Sequence, residues 1–290
     1  MREQSLGRGA SWRAWGRDKV FFNILVDHHI RPMSENDTHR ARIFLHRGDV
    51  PQARAAYEQA VHDDRLGTNR QALADSLGNL GNVCAMMGDY DMANGCYREV
   101  LTIQREQRNL QAVGQTLVNL GNVQVEAGHP EQARPYYLEA LDLLEPLNDH
   151  RALGTLYANL ALQHAADGQT DAAIATFQQA LASHRHVGNE EGLATTYGQL
   201  GKTFLLAGQT SQAEKCLNNA SEHFIKLGNE QAEAAALRLL ADLYEQRRDV
   251  LSAVRCLERI VLIGQRYGLP QWQEDATRLN RVQAAWQLRR

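Results

Sequence analysis

One column of glycines recurs every 40 residues and constrains the architecture more than any other feature of this chain. A column of alanines follows it with the same period. Self-similarity at a fixed period is typical of a solenoid, in which each repeat packs only on its neighbours. The sequence therefore predicts one elongated repeat domain. The glycines are Gly48, Gly88, Gly128, Gly168 and Gly208, and the alanines are Ala93, Ala133, Ala173, Ala213 and Ala253.

The composition favours helices and argues against nucleic acid as a partner. Apolar residues make up 43% of the 290 positions, and only 6 residues are proline. The many Ala, Leu, Gln and Glu residues are good helix formers. Lys and Arg total 31 against 34 Asp and Glu, which gives a net charge of -3. Such a balance provides no basic field to hold a phosphate backbone.

The cysteines and the apolar segments predict a cytoplasmic protein that is not inserted into a membrane. Cys84, Cys96, Cys216 and Cys256 form no C-x-x-C pair, and three of them share one repeat column. They are expected to be small buried hydrophobic residues rather than disulfides. The longest nearly apolar stretch, residues 20–26, is much shorter than the roughly 20 residues needed to span a bilayer.

Each 40-residue unit predicts an antiparallel pair of amphipathic helices. Leu77, Leu80, Gly81 and Cys84 lie at the i, i+3, i+4, i+7 spacing of one helix face. The partner helix begins after the turn at Gly88 and carries apolar residues at similar spacing. One column holds only small residues, which we expect where the two helices cross closely. This column is Gly81, Gly121, Ala161, Gly201 and Ala241.

A second column predicts where the first helix of each unit begins. It contains only asparagine and aspartate, the side chains that cap helix N-termini best. Two prolines interrupt the pattern: Pro135 lies inside a second helix, and Pro146 is expected to kink that helix or end it early. The capping column is Asn69, Asn109, Asp149, Asn189 and Asn229.

These residues resemble the tetratricopeptide repeat. The 40-residue period is similar to the longer-helix version found in kinesin light chains and Pins-type polarity adaptors. The resemblance implies an all-α, right-handed superhelical solenoid of about six helix-turn-helix repeats over residues 33–266, with a C-terminal capping helix in residues 267–290. The residues that match the repeat pattern in one unit are Leu80, Gly81, Cys84, Gly88, Ala93, Tyr97 and Val100.

Residues 1–32 belong to no repeat. They contain Arg2, Arg8, Arg13 and Arg17 among Gly and Ser, which predicts a mobile N-terminal extension. An Arg-rich targeting peptide is an alternative, and an upstream extension before a natural start at Met33 is another. The sequence leaves these three readings open.

The first helices of such a solenoid line its concave side, so they carry the candidate ligand-binding residues. Amides recur there, and an amide can pair with both the N–H and the C=O of an extended peptide. Alternatively, these amides only bond neighbouring helices. Lys and Arg supply scattered cations. The predicted groove residues are Asn79, Asn82, Asn119, Asn122, Asn159, Gln199, Lys202, Arg42 and Arg238.

Between these polar residues the predicted groove floor is apolar, although some of its side chains are expected to contact the neighbouring repeat instead. An apolar helix or an extended segment would fit such a floor. The floor residues are Ala85, Val118, Val125, Ala158, Leu162, Ala165, Ala166, Leu205 and Leu206.

The pattern predicts no catalytic residue, no cofactor and no metal site. The closest histidine pairs, His28 with His29 and His184 with His186, are spaced so that two ligands do not share a helix face, and we expect them at the solvated surface. The leading prediction is a non-enzymatic adaptor that binds a peptide or helix of an unidentified partner protein. The alternatives are a receptor for a free signalling peptide and a self-assembling scaffold, hence a homo-oligomer.

Overall fold

The computed structural model describes residues 37–287, and in that range the chain forms thirteen α-helices and no strand. Consecutive helices pair into six antiparallel hairpins that stack into a solenoid, and a thirteenth helix packs on the last hairpin. The predicted extension of residues 1–32 lies outside the described residues. The helices are α1 (Asp37–His46), α2 (Val50–Leu66), α3 (Arg70–Met86), α4 (Tyr90–Glu106), α5 (Leu110–Glu126), α6 (Pro130–Leu144), α7 (His150–Ala166), α8 (Thr170–His186), α9 (Glu190–Leu206), α10 (Thr210–Lys226), α11 (Glu230–Gln246), α12 (Val250–Tyr267) and α13 (Trp272–Gln287).

The predicted capping column starts the first helices of repeats two to six. The Asn69 side chain accepts a hydrogen bond from the backbone N–H of Ala72, which satisfies one of the unpaired donors at the start of α3. Three aspartates do the same for second helices, whereas α6, α8 and α10 have no side-chain cap. The remaining caps are Asn109, Asp149, Asn189 and Asn229 on first helices and Asp49, Asp89 and Asp249 on second helices.

The glycine column ends the first helices. Gly88 has φ 78°, a left-handed conformation, and the next N–H, that of Asp89, donates back to the Cys84 carbonyl at 2.9 Å. The last hairpin lacks this glycine, and Arg248 adopts the left-handed conformation there with φ 61°. The turn geometry therefore persists where the glycine is lost.

The small-residue column lies against a large side chain sixteen residues later. A Cβ added to Gly81 would come within 2.9 Å of the Tyr97 ring, and one added to Gly121 within 2.2 Å of the Tyr137 ring. Gly201 faces Leu217 in the same way. The prediction of a close helix crossing is confirmed, and the large side chain that occupies the freed space is fully or almost fully buried in each case.

The prolines make α6 the most irregular of the second helices. Pro135 lies inside α6, and the helix ends at Leu144 after 15 residues, two fewer than in α4, α8 or α10. Pro146 follows two residues after Leu144 and cannot continue the helix. The prediction that Pro146 ends this helix early is confirmed.

The described ends of the array differ from its middle. Arg40, which stands in the column of the core leucines, is exposed on α1. At the other end, α13 buries Val282 and partly buries Leu279 against α11 and α12. All four cysteines are buried and unbonded, as predicted.

His184 corrects one prediction, because it is buried in the joint between repeats four and five instead of lying at the surface. Its side chain is 2% exposed. A Cβ added to Gly154 on α7 or to Gly192 on α9 would come within 2.5 or 2.4 Å of the imidazole. Asn189 lies 3.2 Å from its Nδ1. Burial lowers the pKa of His184 to about 4, so the ring is neutral in the fold.

The close crossing predicts opposite effects for two glycine substitutions. Gly121→Ala should destabilise the protein by roughly 1–3 kcal/mol, because the Tyr137 ring must shift. Gly95→Ala on α4 is the matched control, because an added Cβ meets nothing within 4 Å there. It should be neutral or stabilise by up to about 1 kcal/mol. Urea unfolding measures both, and equal effects would contradict the crossing geometry.

His184 predicts a loss of stability in mild acid. In the unfolded state this side chain takes up a proton as the pH falls below about 6.5, whereas in the folded state it stays neutral until about pH 4. The free energy of unfolding therefore decreases as the pH falls from about 6.5 to 4. Between pH 7.5 and 5 the loss should be about 2 kcal/mol. His184→Leu, which copies Leu144 one repeat earlier, should remove about that much of the pH dependence of urea unfolding. An unchanged pH dependence would show that the imidazole is not held neutral.

Candidate functional site

The predicted groove residues fall into two groups by exposure. Asn122 and Asn159 are buried, at 4% and 6% exposed. The others are open to solvent to a larger extent: Arg42 is exposed, and the rest are half-buried. The half-buried residues are Asn79, Asn82, Asn119, Gln199, Lys202 and Arg238.

Two asparagines bond a tyrosine hydroxyl of their own hairpin. The Tyr97 hydroxyl donates to Asn82 Oδ1, and the Tyr137 hydroxyl donates to Asn122 Oδ1 at 2.8 Å. Burial raises the pKa of both tyrosines, so the hydroxyls keep their protons and act as donors. In each hairpin the asparagine directly follows the small core residue, and the tyrosine is the ring that packs on that residue. The amide therefore fixes the ring in place.

The later repeats lose the asparagine and the hydroxyl together. Where repeat four has Phe177 in place of tyrosine, Leu162 stands in place of asparagine. Repeat five has Leu217 and Lys202 at the same two positions. This co-occurrence is a signal that sequence reasoning missed, and it favours a role for these amides inside the fold.

Asn122 also links two repeats. Its Oδ1 accepts a second hydrogen bond, at 2.6 Å, from Asn159 Nδ2 on α7. Asn122 is therefore hydrogen-bonded inside the fold in the unbound protein. Asn122 Nδ2 and Asn119 Oδ1 are themselves buried without a hydrogen-bond partner among the described residues. Whether ligands contact these amides stays a prediction.

The two arginines of the predicted groove also have partners in the fold. Arg42 bonds the Tyr57 hydroxyl. Arg42 and Tyr57 occupy the same repeat positions as Asn82 and Tyr97. Arg238 binds both oxygens of Asp275 on α13, with Nη2 at 2.8 Å and Nε at 3.2 Å from Oδ2. Asp275 is only 7% exposed. This ion pair attaches the last helix to the array, and the place of Arg238 in the groove stays a prediction.

An apolar surface on α7 and α9 contains the most exposed of the predicted floor residues, Leu206. Leu206 is 72% exposed, and its neighbours are half-buried. Val118 and Ala158, also predicted for the floor, are buried instead. Lys202 lies on α9 within this region. We call the following residues the apolar strip: Leu162, Ala165, Ala166, Leu205 and Leu206.

A family model described as the tetratricopeptide repeat matches four segments of the chain that overlap in two pairs, residues 33–106 with 77–145 and residues 151–226 with 192–266. Together these segments cover well over half of its length. The chain belongs to the tetratricopeptide repeat family. No curated protein sequence matches it.

Solved structures share the fold at low sequence identity. BtubC (BKLC) from P. vanneervenii has a TM-score of 0.67 at 20% identity, over 76% of this chain and 92% of BtubC. A signal transduction ATPase with a tetratricopeptide repeat sensor, from Pyrococcus horikoshii, has a TM-score of 0.70 at 15% identity, over 85% of this chain and 38% of the ATPase. The Rap conjugation gene regulator of plasmid pLS20, in complex with the Phr* peptide, has a TM-score of 0.62 at 16% identity, over 87% of this chain and 73% of the regulator.

Two further properties of the described residues bear on function. None of their helices combines the length and the apolar character needed to cross a bilayer. No group of three or more His, Cys, Asp or Glu side chains among them is arranged to hold a metal ion.

The bonds of Asn122 predict a stability defect when the amide is removed. Asn122→Ala leaves the buried Tyr137 hydroxyl and Asn159 amide without an acceptor, at a cost of roughly 1–3 kcal/mol. Asn79→Ala is the control, since this side chain is half-buried, and it should change stability by less than about 0.5 kcal/mol. Urea unfolding of both variants checks this, and a fully stable Asn122→Ala protein would refute the structural role.

Proposed function

We propose that this protein is a non-enzymatic adaptor that binds a peptide or helical segment of a partner protein along the first helices of its array. Family membership supports an interaction role, since stacked helical repeats create extended binding surfaces. The complex of the pLS20 regulator with a peptide gives an example of peptide binding by a protein with a similar fold. The observation that carries the proposal is the apolar strip.

The strip suits an apolar segment better than a charged one. Leu206, which is 72% exposed, would lose contact with water when an apolar side chain covers it, and complete burial of a leucine contributes about 1.5–3 kcal/mol. Leu162 and Leu205 would contribute less, because they are already half-buried against the core. Gln199, on α9 with Leu205 and Leu206, has a buried Oε1 without a hydrogen-bond partner among the described residues. A ligand backbone N–H is the kind of donor that this oxygen accepts, and the Gln199 side chain would have to turn outward to meet it. The segment would therefore be apolar on one side and hydrogen-bonded through its backbone.

A peptide selection experiment tests this proposal. A random peptide library displayed on phage is selected against the full chain, and the recovered peptides are measured by fluorescence polarisation. Leu162→Glu/Leu206→Glu should weaken binding at least about tenfold, because charge replaces the apolar contact. Leu66→Glu/Leu227→Glu, which alters two exposed leucines near the ends of second helices, should bind like the wild type. Equal affinity of all three proteins would place binding elsewhere.

The same peptides separate the adaptor from its two alternatives. A segment of a partner protein has no free termini, so acetylation and amidation of a synthetic peptide should leave its affinity unchanged. A receptor for a free signalling peptide would lose affinity when the recognised terminus is blocked. A self-assembling scaffold would instead show light scattering that rises with protein concentration without any peptide.

A further inference from the structure

The helix α6 is loosely held at both of its ends. At its start, His129 gives no side-chain cap, and the Gln132 N–H bonds the His129 carbonyl in a tightened turn. At its end, the hydrogen bond from the Asp149 N–H to the Leu144 carbonyl is long, at 3.4 Å. The corresponding bonds elsewhere are short, for example 2.9 Å from Asn189 and 2.9 Å from Asn229. Between its ends, α6 lacks the backbone bond that the Pro135 nitrogen cannot donate.

Open space lies on both sides of α6. A cleft of about 200 Å³ separates it from α7 and α8, and Leu138, Leu141 and Leu160 line it. Another cleft of about 330 Å³ lies between Leu143 of α6 and the end of α4 with the start of α5. A helix in a close-packed array normally has no such room.

The bonds that join α6 to the end of α7 are polar and partly exposed. Gln163 donates to the Pro130 carbonyl at 3.0 Å, and Arg134 pairs with Asp167 at 3.1 Å across exposed side chains. Exposed pairs of this kind contribute little to stability, about 1 kcal/mol or less.

Between the first helices α5 and α7 the same two repeats stay joined. The Asn159–Asn122 hydrogen bond connects α7 to α5, and Leu144 and Leu156 are fully buried. One side of the joint is thus closed and the other open, which is the geometry of a pivot. Short connecting segments of this kind absorb the backbone rotation in hinged proteins.

We propose that the joint between α6 and α7 is a hinge, at which repeats one to three and repeats four to six move as two rigid units. Pro135 and Pro146 create the hinge by shortening and loosening α6. The motion opens and closes the cleft beside Leu138 and pivots on the Asn122–Asn159 contact. If the proposed function holds, the hinge also changes the spacing between the two halves of the binding face.

Spin-label distances test the hinge with a matched pair of measurements. Thr102, Ala182 and Leu262 are exposed and occupy one column on α4, α8 and α12, so neighbouring members lie two repeats apart. Thr102→Cys/Ala182→Cys spans the hinge, whereas Ala182→Cys/Leu262→Cys does not. The four natural cysteines are buried, and burial raises the pKa of Cys96 to about 12 and of Cys216 and Cys256 to about 11, so the introduced thiols react selectively.

The pair that spans the hinge should give a distance distribution about twofold broader than the control pair, since only it samples both positions of the pivot. Adding Pro135→Ala and Pro146→Ala should narrow that distribution to the width of the control. Circular dichroism and urea unfolding confirm that each labelled protein is folded. Equal widths for the two pairs would overturn the proposal, and so would a broad distribution that the proline substitutions leave unchanged.

Discussion

The structure depends on one contact that recurs along the array, the packing of a large side chain on a small residue sixteen positions earlier. Tyr137 on Gly121 shows its consequences most clearly. Because no Cβ separates the two helices, they cross closely enough for the ring to be fully buried. The buried hydroxyl then requires an acceptor, and Asn122 provides it from the residue next to the glycine. The small residue at position 121 thus explains why a polar residue is needed at position 122.

The sequence predicts those parts of this arrangement that are local in the chain. The cap at Asn69 acts three residues away, and the crossing at Gly81 sixteen residues away, so both recur as columns that can be read directly. The Asn122–Asn159 bond joins side chains 37 residues apart on neighbouring helices. Arg238 and Asp275 have the same separation. Such contacts depend on how the hairpins stack, and a periodic pattern does not specify that geometry.

His184 shows a second reason why a site can be misread. As one member of a histidine pair near a helix end, it has the features of a surface residue. Its position within the repeat indicates burial instead, because the residue at the same position one repeat earlier is the fully buried Leu144, which packs on Gly114. Gly154 occupies the column of Gly114 and makes the room for the ring. In a repeat protein, the position within the repeat indicates burial better than the residue type does.

The division of polar groups on the first helices bears on how a ligand would be recognised. Hydrogen bonds and ion pairs inside the array engage Asn82, Asn122 and Arg238, so a ligand that competed for them would leave buried groups unpaired. What remains is the apolar strip around Leu206 with half-buried amides such as Gln199. Burial of apolar surface is non-directional and is not weakened by salt as contacts between exposed charges are. Selectivity of the proposed adaptor would therefore come from the shape of the apolar segment and its backbone bonds, and not from matched charges.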